Sequence, residues 1–166
     1  MEDNLKSSLL TVCKLLEKYS IPYMLVGGTA VALNGYFRLS VNTTGEVSDK
    51  PDIDIWYNPT YENYFNILKL IEELGQDITD FKTEKSPNPR SSFFKLKFDH
   101  FSIDILPAIK ADIRFSEANQ RRETVEIENI PIHFMNYIDL IKDKTATARK
   151  KDIEDIEQLK KIRGNK

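Results

Sequence analysis

The sequence predicts an α/β (α+β) fold, a mixed β-sheet with helices packed on one face and further helices at the C-terminal end. Three observations predict it. Apolar residues recur at helical spacing near both ends of the chain, short β-rich runs fill the middle, and two of those runs carry aspartates at alternating positions. The order reads α-β-α-β-α-β-β-β-β-α-α, with no internal repeat. At 166 residues, 40% apolar and 30% charged, the chain is one domain's worth and long enough for a sizeable core.

Leu5, Leu9, Val12, Leu16 and Tyr19 define an amphipathic helix over about residues 3–19, which Ile21-Pro22 stops. Tyr23-Met24-Leu25-Val26 reads as a short buried strand. Gly27-Gly28-Thr29 follows, and then Ala30-Val31-Ala32-Leu33, small residues suited to a helix lying tightly on a sheet. Residues 40–50 are polar and predict an exposed, mobile loop. The strand containing Asp52 ends at Asn58-Pro59, where Asn at the N-cap and Pro at the first helical position predict a helix start. Tyr61, Tyr64, Phe65, Leu68, Ile71 and Leu74 mark its inner side, and it stops before Gly75. Lys82 to Ser92 reads as a second loop. Phe93–Phe98 and Phe101–Leu106 read as a hairpin turning at Asp99-His100. The pattern over 110–123 does not decide between helix and loop. Thr124–Ile127 and Ile130–Phe134 predict another hairpin, and two helices follow from Asn136, the last carrying Ile153, Ile156, Leu159 and Ile162.

Net charge is −2, so no whole-protein field attracts nucleic acid and any anion site must be built locally. Arg121, Arg122, Arg149, Lys150 and Lys151 are the candidates for a local basic groove. The single Cys13 excludes an intramolecular disulfide and sits in a helical pattern as a packing thiol. No signal peptide and no apolar run of membrane length is present, so the expectation is a soluble, cytoplasmic protein without a membrane partner.

The chemistry starts at Pro51-Asp52-Ile53-Asp54-Ile55-Trp56. Side chains alternate along a strand, so Asp52 and Asp54 share one face while Ile53 and Ile55 take the other. Two carboxylates about 7 Å apart on one strand repel, and a hard divalent cation converts that repulsion into a site. Asp104, in Ile103-Asp104-Ile105, has the same parity on another strand. Three converging carboxylates suit Mg²⁺, and two such ions suit phosphoryl-type displacement. Gly27-Gly28-Thr29 lies between a strand and a helix, where glycine permits close approach of backbone N–H groups to phosphate. It is neither a Walker loop nor a GxGxxG turn.

With Val26-Gly27-Gly28-Thr29-Ala30, Asp52-Ile53-Asp54 and Ile103-Asp104-Ile105 in this order, the chain resembles the nucleotidyltransferase superfamily related to DNA polymerase beta. It looks most like small bacterial members, such as aminoglycoside and abortive-infection toxin nucleotidyltransferases. The tail Leu140-Ile141-Lys142-Asp143-Lys144, then Arg149-Lys150-Lys151-Asp152-Ile153-Glu154-Asp155, extends the resemblance over about residues 20–162. The resemblance implies a nucleotidyltransferase-like catalytic domain over 1–135 and a helical extension over 136–166 packed on the same domain. It implies transfer of a nucleoside monophosphate from an NTP to an acceptor hydroxyl, with release of pyrophosphate. Asp52, Asp54 and Asp104 would bind two Mg²⁺ ions and serve catalysis. Gly27, Gly28 and Thr29 would hold the triphosphate, with Arg38 and Lys144 reaching its phosphates. Two departures stand out: Thr29 replaces the familiar serine, and the long polar stretch 40–50 separates Arg38 from Asp52, leaving Lys50 as an alternative.

Each motif also has a plainer reading. Asp52 and Asp54 fit charged edge-strand residues, Gly27-Gly28 a tight turn, Lys144 and Arg149 a solvated helix face, and Asp152 the start of the last helix. His100 and His133 lie near no cluster that would make them ligands. Lys95 and Lys97 alternate with aromatics as a half-buried hairpin requires. Two other functions stay open: a catalytically silent binding protein of this fold, such as a toxin–antitoxin component, and a phosphoesterase using the same carboxylates. The acceptor is open among an antibiotic, a tRNA end, a protein hydroxyl and a small metabolite, as is a homodimer or protein partner.

Overall fold

Alternating burial along the central strands decides this architecture. The computed structural model describes residues 3–37, 40–41, 47–48 and 50–164. In chain order these form helix α1 (Asp3–Lys18), strand β1 (Tyr23–Leu25), helix α2 (Gly27–Leu33), strands β2 (Ser40–Val41), β3 (Val47–Ser48) and β4 (Asp52–Tyr57), and helices α3 (Tyr61–Glu73) and α4 (Thr79–Lys82). A 3-10 turn (Pro89–Ser91) precedes β5 (Phe94–Lys97) and β6 (Ser102–Leu106). The chain continues with α5 (Phe115–Gln120), β7 (Glu123–Ile127), β8 (Ile130–Phe134), α6 (Tyr137–Thr147) and α7 (Lys150–Gly164).

Six strands make one mixed sheet in the order β5-β6-β4-β1-β8-β7. The β4–β6 and β1–β8 pairs are parallel, and the other three are antiparallel. On one face Tyr23, Leu25, Ile53, Ile55, Tyr57, Phe94, Leu96, Ile103, Ile105 and Ile132 pack against the apolar stripes of α1 and α3. Ile53, Ile55, Ile103 and Ile105 are fully buried, each worth about 1.5–3 kcal/mol, so the β4–β6 pair is firmly anchored from behind. Cys13 belongs to this core, and burial pushes its thiol up to about 12, as a packing residue requires.

The helices do more than cover one face. Met24, Val26 and Trp56, of opposite parity, form a second core with Ala30 and Val31 of α2, Phe115 and Ala118 of α5, Leu140 of α6 and Leu159 of α7. Trp56 meets Phe115 edge to face at 5.3 Å. Asp52 and Asp54 share that second face with Trp56, at the part of it where a cavity opens.

Two local expectations change, and one open segment is decided. Helix α3 starts after Thr60, not at Pro59: the Thr60 hydroxyl accepts from the Asn63 N–H at 3.1 Å, and the Asn63 amide donates to the Asn58 carbonyl at 2.8 Å. The Thr60 cap outcompetes the Asn-Pro signal, and the Asn63 side chain ties the first turn back to Asn58. The helix ends as expected, with Gly75 in the left-handed region at φ 94°. Within 40–50, read as a loop, β2 and β3 pair antiparallel through Ser40–Ser48 and Val41–Val47. The undecided 110–123 segment yields α5, and Glu128 and Asn129, at φ 51° and 67°, close the β7–β8 hairpin. Among the described residues no helix is long and apolar enough to cross a membrane.

Candidate active site

The parallel β4–β6 ladder sets Asp54 directly opposite Asp104, with Asp52 opposite Ser102. Neighbouring strands lie roughly 4.8 Å apart, so the Asp54 and Asp104 carboxylates stand side by side on one face. Burial first, then the charges of Asp104 and Asp52, push Asp54 up to about 7. Lys144 and the Gly28 backbone amide pull it down without cancelling the rise. Asp104 is also raised, chiefly by burial, although Lys95 and Lys97 on the adjoining β5 oppose this. Asp52 is exposed and accepts a hydrogen bond from the Ser102 hydroxyl.

The glycine turn is built around Asp54. Gly27 takes φ +55°, and a Cβ placed there would lie 2.5 Å from Asp54 Oδ2 and 3.0 Å from its Cγ. Only glycine meets both demands. Thr29 is buried, and its hydroxyl donates to the Asp52 carbonyl and accepts from the Asp54 N–H, both at 3.2 Å. It therefore fixes the backbone that carries both aspartates.

Gly27, Gly28, Thr29, Asp52, Asp54 and Asp104 all line one cavity of about 950 Å³, large enough for a nucleotide. Lys50, Lys110, Lys144, Arg149 and Lys151 line it too, which brings cations to the carboxylate site. Arg38 lies outside the described residues. Of the five residues considered for a basic groove, Arg149 and Lys151 reach the cavity. Arg121 instead grips the buried Asp139 with two bonds of 3.1 Å, and Arg122 donates to Asn119.

Lys144 is not on a solvated helix face. Its Nζ sits 3.0 Å from Asp152 Oδ1 and 3.1 Å from Asp155 Oδ2, with its side chain 5% exposed and both aspartates at 0%. Arg149 Nε adds a 2.7 Å bond to Asp152 Oδ2, and the Arg149 N–H donates to the same oxygen. Burial opposes ionisation of Asp152, yet Arg149 and Lys144 hold its carboxyl well below the usual range. Among the described residues, no three His, Cys, Asp or Glu side chains are grouped so as to hold a metal ion. Sequence reasoning missed Asp143 and the burial of Asp155. Asp143 sits in the charged run Lys142-Asp143-Lys144 and Asp155 three residues after Asp152, patterns that read as solvated surface.

No family model matches the sequence, and neither does any curated protein. Solved structures match the fold along almost the whole chain. The antibiotic-resistance factor ANT(2'')-Ia superposes with a TM-score of 0.58 at 18% identity, over 95% of this chain and 84% of that one. The lincosamide antibiotic adenylyltransferase LnuA, in its lincomycin-bound form, gives 0.59 at 18% identity, over 96% and 97%. An antigenic nucleotidyltransferase-like protein from Paracoccidioides brasiliensis gives 0.53 at 15%, over 95% and 76%. The chain has the nucleotidyltransferase fold.

Proposed function

We propose that this protein is a metal-dependent nucleotidyltransferase, moving a nucleoside monophosphate from an NTP to an acceptor hydroxyl with release of pyrophosphate. The observation that carries this reading is the in-register pairing of Asp54 with Asp104 at a nucleotide-sized cavity that cations also line. Asp54 and Asp104 offer hard carboxylate oxygens of the kind magnesium takes, and a bound cation would offset the burial and repulsion that raise Asp54. Asp52, Asp54 and Asp104 are the residues that would hold the ions. When bound, two such ions neutralise phosphate charge and favour the ionised acceptor hydroxyl.

The chain's own residues do the rest. Gly27 lets Asp54 stand close to the turn, and Thr29 fixes the Asp52–Asp54 backbone. Lys144 and Arg149 line the cavity where the phosphates would lie and donate hydrogen bonds there, their charge balanced within the cluster by Asp152 and Asp155. Asp104 accepts the proton of the acceptor hydroxyl, or lowers the barrier to its loss.

One second reading is a silent binding protein with this fold, since among the described residues no third His, Cys, Asp or Glu joins Asp54 and Asp104 in a group that could hold a metal ion. Incubating the protein with Mg²⁺, a cell extract and NTP labelled at either the α- or the γ-phosphate separates the readings. Transfer places α-label on an acceptor while γ-label leaves as pyrophosphate. Loss of that product in Asp104→Asn assigns it to this site. Free monophosphate or phosphate without an adduct marks a hydrolase, and no turnover marks a silent site.

A further inference from the structure

The segment after β6 is irregular, and such segments ordinarily move at the surface. This one is held at two points. The Trp56 indole N–H donates to the Pro107 carbonyl at 3.4 Å. Asp143 Oδ1 accepts from the backbone N–H groups of Lys110 at 3.0 Å and Ala111 at 3.1 Å. Asp143 lies on α6 directly before Lys144 and is 9% exposed, so these two charge-assisted bonds are sheltered from water. Leu106 at the end of β6, and Ala108, Ile109 and Lys110 from the segment, line the same cavity as Asp54 and Lys144. Lys110 can meet a phosphate, but the apolar surface of Ala108 and Ile109 offers nothing to a triphosphate. It does cover the flat face of a nucleobase.

We infer that Asp143 is a positioning residue that holds the 107–111 segment as the wall against which the nucleoside of a bound NTP packs. This rests on the nucleotidyltransferase reading and adds to it a residue for nucleoside recognition. An aspartate-to-asparagine change keeps the Oδ1 acceptor and removes only the charge. Alanine removes the acceptor and frees the segment.

Calorimetry with each of the four Mg·NTPs and with Mg·tripolyphosphate, on the wild type, Asp143→Asn and Asp143→Ala, tests it. Asp143→Ala weakens the NTP that the wild type binds at least tenfold and tripolyphosphate, which meets the segment only through Lys110, by no more than about threefold. Asp143→Asn stays within about threefold for both. Hydrogen exchange at the Lys110 and Ala111 amides accelerates in the alanine variant alone. Equal weakening of NTP and tripolyphosphate, or unchanged NTP binding in Asp143→Ala, overturns the inference while leaving the nucleotidyltransferase reading intact. A wild type that binds no NTP overturns both.

Discussion

Lys144→Met will destabilise the fold by about 3–5 kcal/mol at pH 7, because it leaves the buried Asp152 and Asp155 carboxylates without the ammonium between them. For a chain of this size the melting temperature falls on the order of 10 °C. Adding Asp155→Asn restores much of the loss, since it removes one of the two buried negative charges that Lys144 balanced. The pH dependence follows from Asp152. Its folded-state carboxyl is held below the ordinary value by Arg149 and Lys144 despite burial, so this stability is fully present above the unfolded value of about 3.9. It is lost as pH falls through the lower folded value, and the gap between wild type and variant narrows below about pH 4. Thermal denaturation at pH 7 and pH 3 measures both effects. A loss under 1 kcal/mol at neutral pH would show that the cluster is solvated in solution.

Gly27→Ala will separate folding from function at the glycine turn. Alanine at φ +55° costs about 1–2 kcal/mol, which the anchored β4–β6 pair tolerates. Its Cβ, however, occupies the space of the Asp54 carboxylate, so Asp54 must swing out of register with Asp104. Mg·NTP affinity should fall at least about a hundredfold. Gly75→Ala supplies the control: it carries the same kind of backbone strain at φ +94° with nothing within 4 Å. Equal effects of the two variants on binding would mean that strain, not contact with Asp54, explains the loss.

The strands and their parity were legible because β4 and β6 obey simple alternation, so Ile53, Ile55, Ile103 and Ile105 reveal which way Asp52, Asp54 and Asp104 point. The parallel pairing that sets Asp54 beside Asp104 was not legible, because strand order depends on contacts between distant segments. Thr29 was visible as a hydroxyl beside two glycines, yet its partners are backbone atoms of β4 about two dozen residues away. The C-terminal helices were harder. Lys144, Asp152 and Asp155 carry the spacing of a solvated face, and only the packing of α6 and α7 onto the second core buries them. Asp143 is the same case: its partners, the amides of Lys110 and Ala111, carry no sequence signal at all.

The most direct test of the nucleotide site is calorimetry of each NTP with and without Mg²⁺, on the wild type and on Asp54→Ala. The expected result is one NTP per chain, bound only when Mg²⁺ is present and undetectable in the variant. Failure of the wild type to bind any of the four NTPs with Mg²⁺, or binding that Asp54→Ala leaves unchanged, would contradict a nucleotidyltransferase centred on Asp54 and Asp104.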